Sequence, residues 1–284
     1  MIGALLLDKP RGLTSHDVVA RVRRVYHTRA VGHTGTLDPF ATGLLVVLLG
    51  RATRLARFVT ELPKTYLATA RLGQGTTTDD LTGEPSGPQV DPEGVTEAQL
   101  RQLLVQLEGV HSQRPPQFSA KRLGGERSYQ KARRGEVVEL EEREITIHTI
   151  SLVKFRRPEV TFRTTVSAGT YIRAMARDIG TRLGTGAHLT ALRREAIGRL
   201  RVDDALPLER LTKETPLRSP VDVLRHLPVV ELDRAASGIA VHGGAVVRPD
   251  QPDGTVLLVE TDRLIGVAQA EGGWIKPKVV VAEA

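Results

Sequence analysis

"GHTGTLDPFATGLLVVLLG", residues 32–50, sets a carboxylate, Asp38, at the mouth of an apolar strand. Gly32, Gly35 and Gly43 supply permissive dihedrals, and Asp38-Pro39 is turn chemistry. Leu44 to Leu49 then run unbroken and apolar, which reads as a buried strand. Two readings of Asp38 stand side by side. Taken alone, most Asp-Pro pairs do no more than turn the chain. A carboxylate on a short turn anchored by a buried strand is also well suited to act as a held nucleophile or base. Such a group must be ionised, so the second reading calls for a cation close by.

Upstream, "IGALLLDKPRGLTSHDVVARVRRVY" reads as strand, turn and helix. Thr14 and Asp17 have capping-box spacing, and Val18, Val22 and Val25 recur at helical intervals. Downstream, "ATRLARFVTEL" predicts a short amphipathic helix and "KTYLATARLGQGTTTDD" an alternating strand with a polar loop. Residues 83–94 are a loop by composition, and "VTEAQLRQLLVQLEG" predicts a helix with Leu100, Leu103, Leu104 and Leu107 on one face. From His111 to about Arg143 the chain is polar and rich in Arg, Lys and Gly, an elaborated insertion. "EITIHTISLVKF" and "EVTFRTTVSA" predict strands, and "GTYIRAMARDIGTRLG" a helix with Tyr171, Met175 and Ile179 spaced by four. After Pro228 the texture changes to short strands and glycines, a small β-rich module. The pattern as a whole says α+β.

Bulk properties narrow the function classes. A chain of 284 residues predicts about two domains at roughly 150 residues each. Forty Lys and Arg against 33 Asp and Glu give a net charge of +7, which favours polyanionic partners. There is no cysteine, so disulfides, thiol nucleophiles and thiolate metal sites are excluded. "MIGALLLDKP" lacks the basic start and long apolar run of a signal peptide. The run Leu44–Leu49 is far below the roughly 20 residues needed to cross a bilayer, so a cytoplasmic protein with no membrane partner is expected.

"KPRGLTSHDVV", "GHTGTLDPFATGLLVVLLGRATRLARF", "KTYLATARLGQGTTTDD", "GTYIRAMARDIG" and "GAHLTALRRE" occur in that order. Together they resemble the bacterial TruB family, the tRNA pseudouridine synthases that modify the T-loop uridine at position 55. "GTVLLVETDRLIGVAQAEGGWIKPKVVV" resembles a PUA RNA-binding domain. The resemblance implies a pseudouridine synthase fold: a central mixed, mainly antiparallel sheet flanked by helices, plus the small PUA domain. It implies a catalytic domain over residues 1–228, with an RNA-binding thumb at about 111–143, and a PUA domain over 229–284. The implied reaction breaks the N1–C1′ bond of uridine, rotates the uracil and forms a C5–C1′ bond. It needs no cofactor and no metal.

Residue by residue, the resemblance makes Asp38 the catalytic aspartate, Arg173 its pairing arginine, and Tyr66 the ring that stacks on the target base. It leaves open whether Asp38 attacks the base, attacks the sugar or promotes a glycal. His33 matches a histidine that fills the gap left when the nucleotide flips out. Lys9 and Lys64 match supports of the active-site floor, Leu192 an apolar pocket residue, and Asp80 a polar position near the flipped base. All five fall in the RNA-binding set. Lys121, Arg122, Arg127, Lys131, Arg133 and Arg134 suit phosphate contacts from the insertion, and Lys276 and Lys278 contacts to the tRNA acceptor end. A standalone monomer without guide RNA is expected, with a tRNA-folding role beside the chemistry. Three rivals remain: an RNA chaperone that only binds, a guide-RNA-dependent synthase, and a glycosidase. The last would need two paired acids.

Overall fold

The computed structural model describes residues 1–116, 122–123, 126–127 and 141–282. The fold is α+β, with a central mixed, mainly antiparallel sheet, flanking helices and a separate C-terminal sheet. Packing divides the chain into two compact units, Met1–Leu62 with Ala196–Ala284, and Pro63–Glu195.

In chain order, the first segment holds β1 (Gly3–Lys9), α1 (Ser15–Val25), β2 (Val31–His33), β3 (Thr42–Leu49) and α2 (Ala56–Thr60). The second holds β4 (Lys64–Leu72), β5 (Gly75–Thr76), β6 (Pro85–Ser86), α3 (Glu97–Gln106) and β7 (Gly109–Gln113). It continues with β8 (Arg122–Leu123), β9 (Glu126–Arg127), β10 (Arg143–Arg156), β11 (Glu159–Val166), α4 (Ile172–Arg182) and β12 (Ala187–Ile197). The third holds β13 (Leu200–Arg201), β14 (Leu206–Pro207), α5 (Pro220–Val223), β15 (Val229–Glu231) and α6 (Arg234–Val241). It ends with β16 (Val246–Val247), β17 (Gly254–Glu260), β18 (Arg263–Glu271) and β19 (Trp274–Val280).

In the first unit β3 is the spine. It runs antiparallel to β1, with Leu5 opposite Val47, and antiparallel to β2. Every residue from Leu44 to Leu49 is fully buried, because β3 is covered on both faces. Leu44, Val46 and Leu48 enter a core with Ala52, Leu55 and Val59. Leu45, Val47 and Leu49 enter the opposite core, with Val18, Val19 and Val22 of α1. Alternation of side chains along a strand sends one apolar run into two cores. The expected cap on α1 is present: Thr14 accepts from Asp17 N–H, and the Asp17 carboxylate accepts from Thr14 N–H at 2.8 Å.

The change of texture after Pro228 marks the start of a separate five-stranded sheet, ordered β15-β17-β18-β19-β16. α6 is a helix where only strands were expected; Asp233 caps it by accepting from Ala236 N–H at 2.8 Å. Val256, Leu258, Ile265 and Ile275 of this sheet form a core of their own with Ala236 and Ala240 of α6, while other side chains of the sheet face the N-terminal segment. Leu257, Val259, Leu264, Val267, Val279 and Val281 share one core with Ala4, Leu6 and Val46. Arg51 and Arg54 donate to the carbonyls of Ala282 and Val280.

In the second unit the strand order is β12-β4-β11-β10-β7, with the β4–β11, β11–β10 and β10–β7 pairs antiparallel. β4 alternates as its sequence predicts, burying Lys64, Tyr66, Ala68, Ala70 and Leu72. α3 starts at a Thr96–Gln99 capping box and buries Leu100 and Leu104. α4 begins one residue past Tyr171, which becomes its N-cap. Gly180 is required in α4, because a Cβ there would collide with Gly186 and Ala187.

Candidate active site

The turn that carries Asp38 is fixed from below by main-chain contacts. Gly12 N–H donates to Pro39 C=O at 2.7 Å, and Ala41 N–H closes the turn on Asp38 C=O at 3.0 Å. Ser15, at the start of α1, accepts from Leu37 N–H at 2.8 Å. The amine of Lys9 donates to the carbonyls of Leu13 at 2.7 Å, Pro10 at 2.9 Å and Pro39 at 3.5 Å. Gly43, which ends the turn, has φ of +103°, a conformation that a side chain would strain. Asp38 itself is half-buried.

Lys9 is fully buried. It is a strut beneath the turn, and its amine donates to these carbonyl oxygens. His33, at the end of β2, is half-buried, and its Nδ1 accepts from Gly35 N–H at 3.2 Å. That bond orients the ring.

In the second unit Tyr66 and Leu192 are each 8% exposed, Lys64 is buried at the start of β4, and Arg173 is 6% exposed. Arg173 is therefore not a helix-surface arginine. Arg173 Nη1 donates to Thr78 C=O at 3.1 Å and lies 3.4 Å from Asp80 Oδ2. Asp80 Oδ1 accepts from Thr78 Oγ1 at 2.8 Å, Thr82 N–H at 2.9 Å and Thr82 Oγ1 at 2.5 Å. Three donors meet one oxygen and leave the other facing the guanidinium. Asp80 is thus a buried counter-ion of Arg173, which its expected place in the RNA-binding set did not foresee.

Two further charged groups escaped the sequence reading. Asp79 Oδ2 pairs with Arg177 Nη1 at 2.9 Å. Burial pushes the Asp79 carboxyl up from its ordinary value, although the guanidiniums of Arg177 and Arg173 pull the other way. The tandem acids of "TTTDD" were a signal, but alternation of faces could not say that each would meet its own arginine from α4.

Lys121, Lys131, Arg133 and Arg134 lie outside the described residues. Arg122 and Arg127 are register partners in the short β8–β9 hairpin. Lys276 and Lys278 are exposed on β19, and they share that strand face with Trp274, which is 56% exposed. The tryptophan had drawn no notice in sequence. Among the described residues, no helix is long and apolar enough to cross a membrane.

With this geometry in hand, comparison with known proteins is decisive. The description "TruB family pseudouridylate synthase (N terminal domain)" matches residues 23–172, and "Pseudouridine synthase II TruB, C-terminal" matches residues 228–281. This chain belongs to the TruB family. TruB-family proteins are pseudouridine synthases, isomerases that convert uridine in RNA to pseudouridine. Among relatives, tRNA pseudouridine synthase B of Thermobifida fusca (strain YX) is 45% identical over 290 residues, covering 99% of this chain and 98% of that protein. The protein of the same name from Burkholderia mallei (strain NCTC 10247) is 42% identical, covering 98% and 96%. A solved H/ACA RNP bound to a substrate RNA containing 2′-deoxyuridine has a chain that superposes with a TM-score of 0.77 at 25% identity. That match covers 99% of this chain and 85% of its counterpart. A Cbf5-Nop10-Gar1 complex gives a TM-score of 0.76 at 27% identity, with the same coverage.

Proposed function

We propose that the protein isomerises the T-loop uridine at position 55 of tRNA, with Asp38 as the catalytic carboxylate, Arg173 as its partner and Tyr66 beneath the base. The observation that carries this is the Asp38 turn, which agrees with the family string and is braced at Leu37 and Pro39 by Ser15, Gly12 and Lys9. Reaction at N1 and C5 redistributes one proton from C5 to N1, so the overall change is an isomerisation without net redox. His33 refills the stack when the uridine leaves it, recovering part of a flipping penalty of a few kcal/mol. Residues 229–284 serve as a PUA-type RNA-binding region toward the acceptor end.

A guide-RNA-dependent activity is the second reading, favoured by the likeness to the H/ACA chain. The full-length relatives named tRNA pseudouridine synthase B support the standalone one. One experiment separates them: pure protein is incubated with an unmodified T-arm stem-loop, without guide RNA or cofactor, and the RNA is assayed for pseudouridine. Product in that mixture is expected. Its absence, with product restored by a guide RNA, would reverse the choice.

Two expectations follow for single positions. Tyr66→Phe and Tyr66→Leu divide the roles of the ring: a defect in both implicates the hydroxyl, and a defect in Leu alone implicates stacking. We expect both to be impaired, with Leu the worse, in single-turnover assays. On β19, Lys276→Glu with Lys278→Glu is expected to weaken tRNA binding and to reduce the slope of log affinity against log salt by about 2, since each lysine neutralises one phosphate. An unchanged slope would remove this face from the interface. Deleting residues 229–284 would be a poor test, because it strips the core shared with Ala4, Leu6 and Val46.

A further inference from the structure

Residues at the two ends of the insertion grip the helix that carries Arg173. Gln113 ends β7 and Arg143 begins β10, and the two are register partners. Gln113 is only 3% exposed. Its carboxamide meets the main chain of Tyr171 edge to edge. Tyr171 N–H donates to Gln113 Oε1 at 2.9 Å, and Gln113 Nε2 donates to Tyr171 C=O at 3.1 Å. Arg143 Nη1 donates to Gly169 C=O at 3.0 Å, and its guanidinium lies 5.6 Å from the centre of the Tyr171 ring. Tyr171 is the N-cap of α4 and provides no side-chain cap of its own. The first turn of α4, with Arg173 on it, is therefore located by a side chain from another strand.

One turn further along α4, Arg177 makes a second tie. Its Nη2 donates to Arg114 C=O at 2.9 Å, its Nη1 to Asp79 Oδ2 at 2.9 Å and its Nε to Asp178 Oδ1 at 3.0 Å. Asp79 has φ of +59°, a strained conformation for a non-glycine residue, so its turn needs holding from outside. The next residue, Asp80, is the carboxylate facing Arg173. Gln113–Arg114 is thus joined to α4 at Tyr171 and Arg177, and Arg177 is joined in turn to the Asp79–Asp80 turn.

We propose that Gln113 and Arg177 are positioning residues, which set α4 and the Asp79–Asp80 turn in the register that aims Arg173. The proposal rests on the catalytic assignment of Arg173 made above. Glutamine suits the role because a carboxamide presents one donor and one acceptor in the geometry of a peptide edge. A misplacement of the guanidinium by about 1 Å is enough to lower turnover by ~10²-fold.

The test uses the full chain and a T-arm stem-loop, with three readouts: single-turnover rate, stem-loop affinity and melting temperature. Gln113→Met and Arg177→Met are expected to lower the rate by about ten- to a hundredfold while leaving affinity within about twofold. Combined with Arg173→Gln, either change should add almost nothing, because both act through the same arginine. Gln113→Glu provides a signature that packing alone would not. At high pH its carboxylate opposes Tyr171 C=O and the rate is low. As pH falls and the buried acid takes up a proton, a donor is restored and the rate recovers relative to wild type.

Wild-type rates in Gln113→Met, full additivity with Arg173→Gln, or a Gln113→Glu profile parallel to wild type would each overturn the positioning role. If Gln113→Met does not fold, the Arg177→Met and Gln113→Glu arms decide. A fully active Arg173→Gln would overturn the catalytic assignment itself, a distinct failure.

Discussion

Asp38→Asn is expected to lower pseudouridine formation by at least ~10³-fold, as removal of a central catalytic group does, while leaving the melting temperature nearly unchanged. The substitution keeps the size and shape of the side chain and removes its charge. The main-chain braces of the turn are kept: Gly12 and Lys9 on Pro39 C=O, Ser15 on Leu37 N–H, and Ala41 on Asp38 C=O. An amide cannot serve as the ionised nucleophile or base that breaks the N1–C1′ bond. Stem-loop affinity should stay within about threefold, since Asp38 is one group among many and phosphate contacts dominate affinity. Wild-type turnover in this variant would remove Asp38 from the chemistry.

Arg173→Lys is expected to reduce turnover by ~10²-fold although the formal charge is kept. The guanidinium reaches Thr78 C=O and Asp80 from a site that is 6% exposed. A lysine ammonium is a compact point charge that lacks the planar fork and cannot reproduce that geometry. Asp80 would keep its three donors but lose the guanidinium beside it. Stability should fall by about 1–3 kcal/mol, the range for a buried hydrogen-bonding group left unsatisfied. The comparison with Asp80→Asn separates the two effects. That variant removes the counter-ion and leaves the guanidinium intact, so it should cost stability while retaining more turnover than Arg173→Lys. Equal turnover in wild type and Arg173→Lys would exclude a role for the fork.

Much of this was legible along the chain, for local reasons. A strand followed by a capped helix was readable at residues 3–25 because Thr14 and Asp17 meet within one helical turn. α3 was readable because its leucines recur on one face. β4 was readable because buried and exposed residues alternate. α6 was missed because "RAASGIAV" is short and the residues it buries, Ala236, Ser237 and Ala240, are small, so that only the Asp233 cap marks its start. The bond between Gln113 and Tyr171 spans 58 residues, and that between Arg177 and Asp79 spans 98. No periodicity within either segment encodes such a meeting.

By itself the sequence determined the family, the Asp38 turn and the main strands and helices around it, because each is written in residues that act on near neighbours. Only the tertiary structure decided which charges meet. It buried Lys9 under the turn, set Asp80 against Arg173 and Asp79 against Arg177, and packed part of the C-terminal sheet into the N-terminal core. The physical reason is that a charged side chain cannot be buried alone. Its partner must come from wherever the fold brings a complementary group, and that depends on packing between elements far apart in the chain.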